Sequence, residues 1–134
     1  MSGIEIINPK EMGPVLGPYS QIARVRASEF VIIAGQVGAD ASGKLAEGFE
    51  AQCEQMYANI ETALKAVGAG WSNVISFTSY LVNPNDIPKY MTYRAKAYPT
   101  FFPTKVYPPH TLAVVAQLVQ KPLLVEVATM AAIP

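Results

Sequence analysis

Apolar residues recur at helical spacing along one long stretch of the chain. Between residues 49 and 67 they step by three or four positions, which places them on a single helix stripe. Glu50 suits the positive end of a helix dipole, and Gly68 suits a helix C-cap. The pattern therefore predicts an amphipathic helix from Phe49 to Val67 with Cys53 on its buried face.

Shorter runs rich in β-branched and aromatic residues predict strands. These runs are Ile22–Val25, Phe30–Ala34, 73–82, His110–Val115 and Leu123–Met130. The turn residues 83–86 are expected to cap a second helix from Ile87 to Tyr98, and Pro99 is expected to end it. Three prolines and two glycines predict an irregular loop over residues 8–21.

The predicted order is β-β-α-β-α-β-β, which indicates an α+β fold with a mixed sheet. Residues 1–134 contain no linker or internal repeat, so a single domain is expected. Two helices cover only one face of such a sheet. Only 15% of the residues are charged, against about 25% in an average globular protein. Both observations favour an oligomer that buries the other face.

The composition excludes several classes of function. Net charge is zero and the ten Lys and Arg residues are scattered, so nucleic acid is not expected as a partner. A single cysteine, Cys53, excludes an internal disulfide and a cysteine-cluster zinc site, and a single histidine excludes a histidine-rich metal site. Residues 1–10 do not resemble a signal peptide, and every apolar run is shorter than a membrane span. A soluble cytoplasmic protein is expected.

Glu126 is one candidate for chemistry, because it lies among apolar neighbours in a predicted strand. Desolvation there would raise the pKa of the carboxyl group and suit it to general acid or base catalysis. The alternative is that strand alternation turns Glu126 to solvent or to a cross-strand lysine.

His110 is a second candidate, because Pro108 and Pro109 fix the backbone in front of it. Its imidazole could accept a proton or, when charged, attract a carboxylate. The alternative is a solvated residue at a strand end. Tyr19 follows Gly17 and Pro18, and its phenol could hold a polar ligand. No motif indicates a catalytic triad or a nucleotide-binding loop.

Several segments together resemble one known family. They are GPYSQ (17–21), IIAGQVG (32–38), the helix 52–74, residues 79–99, PPHTLAVVAQL (108–118) and LLVEVATMA (123–131). From about Gly17 to Ala132 the chain resembles the RidA family, also called the YjgF or L-PSP family. The resemblance implies a chorismate-mutase-like fold with two helices on one face of a mixed sheet. It also implies a homotrimer with clefts at the subunit interfaces.

The same resemblance implies a set of site residues. Archetypal members hydrolyse reactive enamines and imines such as 2-aminoacrylate, with an arginine that binds the substrate carboxylate. Their tyrosine and glutamate correspond to Tyr19 and Glu126. The arginine position is occupied by His110, which cannot form a bidentate contact with a carboxylate. The remaining cleft positions are Ala34, where the family has a serine, Gly35, Thr111, and Leu112, where archetypes often have a cysteine.

The sequence thus predicts a divergent hydrolase that acts on a small enamine, imine or amide-like metabolite without a metal or organic cofactor. Its predicted catalytic residues are Glu126, which orients or deprotonates water, and Tyr19 and His110, which bind the substrate and stabilise developing charge. Efficient deamination of 2-aminoacrylate is not expected, because His110 replaces the arginine. Two alternatives remain open: a non-enzymatic trimer that binds metabolites or proteins, and an endoribonuclease. The lack of a basic surface weighs against the second.

Overall fold

The computed structural model describes residues 3–134 and contains six strands and two α-helices in that range. The strands are β1 (Ile4–Ile7), β2 (Ile22–Val25), β3 (Glu29–Gln36), β4 (Val74–Leu81), β5 (His110–Val114) and β6 (Val125–Ile133). The helices are α1 (Phe49–Ala66) and α2 (Ile87–Phe101). Neither helix is long and apolar enough to span a membrane.

The main sheet is mixed, as predicted, and has the strand order β3-β6-β4-β5. Strand β5 runs parallel to β4, whereas the β3–β6 and β4–β6 pairs are antiparallel. Strands β1 and β2 form a separate two-stranded antiparallel sheet. The α+β class is therefore confirmed, although β2 lies outside the main sheet.

The two helices pack against one face of the main sheet. In β6 the side chains of Val125, Val127 and Thr129 are buried on this face, and α1 supplies Ile60 and Leu64 to the same core. The alternate side chains project from the opposite face, which we call the open face. It carries the exposed residues Ile32 and Met130, which are cross-strand neighbours, together with Thr78, Tyr80, Glu126 and Ala128.

Helix α1 follows its predicted bounds closely. Gly68 adopts a φ of 73° just beyond its end, a left-handed conformation that suits glycine, and donates its N–H to the Lys65 carbonyl. The Cys53 thiol is fully buried, and burial raises its pKa to about 12. Cys53 is therefore the core thiol that its position on the helix predicted.

One local prediction was wrong, and one strand was missed. Pro99 lies inside α2 rather than ending it, and the helix continues to Phe101. Packing explains this extension, since the Phe101 ring stacks on Trp71 with 4.2 Å between centroids and the Phe102 N–H bonds to the Tyr98 carbonyl. Strand β1 was not predicted, because the loop over residues 8–21 separates it from its partner β2 and no short turn marks the pair.

Candidate functional site

Glu126 lies on the open face, where a glycine leaves space for its carboxylate. Its cross-strand neighbour on β4 is Tyr80, and the β3–β6 pairing shifts register between Ile33 and Gln36. The shift brings Gly35 against Glu126 so closely that a Cβ at position 35 would overlap the carboxylate Oε2. The two residues that the sequence assigned to one cleft are therefore in contact.

The Glu126 carboxylate is available for a ligand. It is partly exposed and has no hydrogen-bond or ion-pair partner among residues 3–134. No cross-strand lysine approaches it, which removes one of the structural readings of this residue. A carboxylate on a sheet surface without a protein partner can accept a proton or hold a water molecule.

The other predicted cleft positions divide between the two faces of the sheet. Thr111 is exposed and pairs with Thr78 of the open face, and Ala34 is exposed beside Gly35. Leu112 pairs with Ser79 and packs against the core on the helix-covered face. Ala34, Gly35 and Thr111 are thus accessible from the side of Glu126, whereas Leu112 is not.

His110 also lies on the helix-covered face, away from Glu126. Its partner in β4 is Phe77, a core residue, and its ring lies 5.7 Å from the Phe77 ring. The Nε2 atom is 2.6 Å from Ser79 Oγ, and Nδ1 is 3.3 Å from Tyr98 Oη. His110 is therefore neither a solvated residue at a strand end nor a neighbour of Glu126 within one subunit.

The contacts of His110 belong to a closed ring of buried hydrogen bonds. From Ser79 the ring continues to the Tyr90 hydroxyl at 2.6 Å, then to Tyr57 at 2.5 Å, and on to Tyr98 at 2.6 Å. Four hydroxyls and one neutral imidazole supply one donor and one acceptor each, so all five bonds are satisfied in either direction around the ring. We call these five residues the tyrosine ring.

A charged His110 does not fit the tyrosine ring. An imidazolium donates from both nitrogens, so two of the hydroxyls would point their hydrogens at one acceptor and one hydrogen would lose its partner. Burial is the larger cause that lowers the pKa of His110 from 6.5 to about 3, and the nearby Arg94 guanidinium adds to it. His110 is neutral at physiological pH, so it cannot attract a carboxylate by charge.

Tyr19 lies in the loop beside the start of β5. Ser20 forms a parallel bridge with Pro109, and the Tyr19 N–H bonds to the Gly17 carbonyl at 2.9 Å. The Tyr19 side chain is partly buried. Next to it, a Cβ on Gly17 would meet Met91 of α2 at 3.0 Å, so this loop packs onto the second helix.

Arg94 is the residue that sequence reasoning missed. It lies on α2 with only 3% of its surface exposed, and its Nη2 donates to the Pro18 carbonyl at 3.1 Å. One signal was available, because an arginine on the same stripe as Tyr90 and Tyr98 must be buried with them. Within residues 3–134 no group of three or more His, Cys, Asp or Glu side chains is placed to hold a metal ion.

The sequence of this chain is similar to one family model and to several curated proteins. Residues 10–133 match the family model described as Endoribonuclease L-PSP. A RutC family protein from Synechocystis sp. is 30% identical over 134 residues, which cover 98% of each chain. The 2-iminobutanoate/2-iminopropanoate deaminase of Bos taurus is 38% identical over 84 residues, which cover 61% of this chain and 60% of that protein.

The structural neighbours agree with the sequence matches. The crystal structure of a Rid family protein of unknown function from Yersinia pestis has a TM-score of 0.85 at 26% identity. That match covers 98% of this chain and 99% of the other. Several other curated relatives are matched over only about two thirds of their length.

Proposed function

This chain belongs to the endoribonuclease L-PSP family, also called the RidA family, and we propose that it is a hydrolase of small enamine, imine or amide-like metabolites. The Glu126 carboxylate over Gly35 carries the proposal, because it is accessible and has no partner among residues 3–134. In the proposed reaction Glu126 orients water and accepts its proton. That water adds to the C=N carbon of an imine, which an enamine forms by protonation at carbon, or to the carbonyl carbon of an amide. Glu126 then returns the proton to the substrate nitrogen, and ammonia or an amine leaves as the C=O bond of the product forms.

The proposed assembly is a homotrimer with its sites at the subunit interfaces. Two observations support an oligomer that covers the open face. Phe30 and Ile32 expose 61% and 69% of their surface next to Met130 at 39%, so this face is apolar. The sheet also separates Glu126 from Tyr19 and His110 within one subunit, so a cleft that uses all three residues requires a second subunit.

The roles of Tyr19 and His110 in this proposal are unequal. Tyr19 borders the cleft from its loop and binds substrate through its hydroxyl. His110 acts as a positioning residue, because its two nitrogens hold Ser79 and Tyr98 rather than a ligand. Activity on 2-aminoacrylate is expected to be far below that of an archetypal member, since a neutral imidazole stands where the family has arginine. A carboxylate bound at any other position would place the reacting carbon of so small a substrate differently, which lowers the rate even where the substrate binds.

Glu126→Gln tests the chemistry. The amide keeps the shape of the side chain but cannot accept a proton, so turnover is expected to fall about a hundredfold or more. Glu54→Gln is the matched control, because Glu54 is exposed on α1 and its removal leaves the open face unchanged. Ammonia release from a panel of enamines, imines and amides provides the readout. Equal turnover of the Glu126→Gln variant and wild type would contradict the proposed role.

A trimer that binds metabolites without turning them over is the second candidate. The neutral, hydrogen-bonded His110 favours it, because the positive charge that the family places at this position is missing. Keto-acid binding in a protein that releases no ammonia from any member of the panel would support this reading. Sedimentation velocity tests the trimer itself, and a monomer at micromolar concentration would exclude both forms of the proposal.

A further inference from the structure

Arg94 is a buried cation whose contacts are all neutral. Its guanidinium carbon lies 4.9 Å from the centre of the Tyr98 ring and 5.5 Å from that of Tyr90. Nη2 donates to the Pro18 carbonyl and Nη1 to the Met91 sulfur at 3.5 Å. The buried Nε has no hydrogen-bond partner among residues 3–134, and no carboxylate in that range forms an ion pair with Arg94.

The groups around Arg94 cannot act as its counter-ion at neutral pH. Burial raises the pKa of Tyr90 to about 12 and that of Tyr98 well above 10.0, so both phenols stay protonated. The neighbouring His110 is neutral. A charge removed from water without an opposite charge is costly and rare in folded proteins. An anionic ligand would supply the opposite charge that Arg94 lacks among residues 3–134.

We infer that Arg94 binds the carboxylate of a small anionic substrate, in place of the arginine that relatives have at the position of His110. The free Nε–H and an N–H of Nη2 point along one edge of the guanidinium, the arrangement that receives both oxygens of a carboxylate. The inference rests on the proposed function for the identity of the ligand as a substrate. The binding site itself depends only on Arg94 and the residues in contact with it.

The loop over residues 17–19 lies against the Arg94 guanidinium. Its Pro18 carbonyl accepts one of the two N–H groups of Nη2, and a carboxylate would accept a charge-assisted bond that is about twice as strong as a bond to a neutral acceptor. Few other bonds hold the loop, and its link to the chain before β5 is the long 3.4 Å contact from Ser20 N–H to the Pro108 carbonyl. Because only 3% of the Arg94 surface is exposed, a carboxylate reaches the guanidinium only when the residues packed over it move. Pro18 is hydrogen-bonded to Arg94 there, so Pro18 and the adjacent Tyr19 are the residues expected to move.

Pyruvate and the neutral amide lactamide, which are similar in size, form the probe pair for calorimetric titration. We expect wild type to bind pyruvate more tightly than lactamide. Arg94→Met should weaken pyruvate binding by about thirtyfold or more, and Arg94→Lys by about tenfold, because lysine keeps the charge but loses the fork. Arg24→Met is the matched control, since Arg24 is exposed and paired with Glu5, and it should change binding less than twofold.

A wild-type measurement covers the case in which the Arg94 variants do not fold. The chain has three arginines, Arg24, Arg26 and Arg94, so their Nε–H signals can be followed separately by NMR. Pyruvate should shift the Arg94 signal and leave the other two in place. A shift at Arg24 or Arg26 instead, no shift at all, or equal affinity for pyruvate and lactamide would overturn the inference.

The inference and the proposed function fail in different experiments. If Glu126→Gln retains full turnover while Arg94→Met loses pyruvate binding, the catalytic proposal is wrong and the carboxylate site stands. If Glu126→Gln abolishes turnover while Arg94→Met binds pyruvate within threefold of wild type, the carboxylate site is wrong and the catalytic proposal stands.

Discussion

Replacing Tyr57 by phenylalanine removes one hydroxyl oxygen from the tyrosine ring, the closed ring of hydrogen bonds around His110. The Tyr57 hydroxyl bonds to Tyr90 at 2.5 Å and to Tyr98 at 2.6 Å, and the residue is only 1% exposed. Phenylalanine keeps the aromatic contacts of the side chain. The substitution therefore removes two hydrogen bonds and almost nothing else.

The expected loss of stability follows from the count of donors and acceptors. Each of the two lost bonds is worth about 0.5–1.5 kcal/mol. The four groups that remain form an open chain, which leaves one buried donor and one buried acceptor without partners at its ends. An unsatisfied buried group costs about 1–3 kcal/mol, offset in part because the Tyr57 hydroxyl no longer needs burial. The free energy of unfolding should fall by about 2–4 kcal/mol.

Urea denaturation at fixed protein concentration measures this loss, with Tyr93→Phe as the matched control. The Tyr93 ring stacks on Tyr57 at 5.8 Å and is 7% exposed, but its hydroxyl bonds to no residue in the range 3–134. The control should lose less than about 0.5 kcal/mol. If the two variants are equally stable, the ring does not contribute as argued.

Three further predictions concern His110, Gly35 and the subunit interface. In the unfolded chain His110 binds a proton near pH 6.5, whereas in the folded protein its pKa is lowered to about 3. The free energy of unfolding should therefore be largest above pH 6.5 and should decrease as the pH falls from 6.5 to about 3. The free energy of unfolding should change by up to about 1.4 kcal/mol per pH unit in this range. Urea titrations at several pH values should show that His110→Gln removes this pH dependence, and an unchanged pH dependence in the variant would refute the prediction. Gly35→Ala should fold normally but displace the Glu126 side chain and reduce turnover. Gly70→Ala is the control, because a Cβ at position 70 meets open space, and it should leave turnover unchanged. Equal turnover of the two variants would contradict the proposed importance of the contact between Gly35 and Glu126. If each site combines Glu126 of one subunit with Arg94 of another, refolding equal amounts of Glu126→Gln and Arg94→Met chains should restore about a quarter of wild-type turnover, by random pairing. No recovery would place both residues in one subunit.

Much of the fold was predictable because its signals are local. The stripe from Phe49 to Val67 and the cap at residues 83–86 predicted both helices, and runs rich in β-branched and aromatic residues predicted five of the six strands. Pro99 was misjudged because a proline rule describes backbone cost alone, whereas the stacking of Phe101 on Trp71 offsets that cost. Such packing cannot be read from a helical pattern.

The predicted site residues lie on two faces of the sheet because of the strand register, and the sequence pattern alone did not predict this register. His110 pairs with Phe77 of β4, and Glu126 pairs with Tyr80 of the same strand. Positions 77 and 80 are an odd number of residues apart, so the side chains of Phe77 and Tyr80 point to opposite faces of the sheet. His110 and Glu126 point to the same faces as their respective partners, and therefore to opposite faces. A slip of one residue in either pairing would have placed His110 beside Glu126, as the sequence-based expectation had it.

The register also explains why a histidine fits at position 110, where the resemblance to the family implies an arginine. Facing the helices, residue 110 meets Ser79 and Tyr98, and a neutral ring with one donor and one acceptor completes their hydrogen bonds. An arginine in the same orientation would add a second buried cation beside Arg94 and break the ring. The positive charge has therefore not simply been lost from this protein. It lies on α2, behind the Pro18 carbonyl, where only a ligand that moves the loop can reach it.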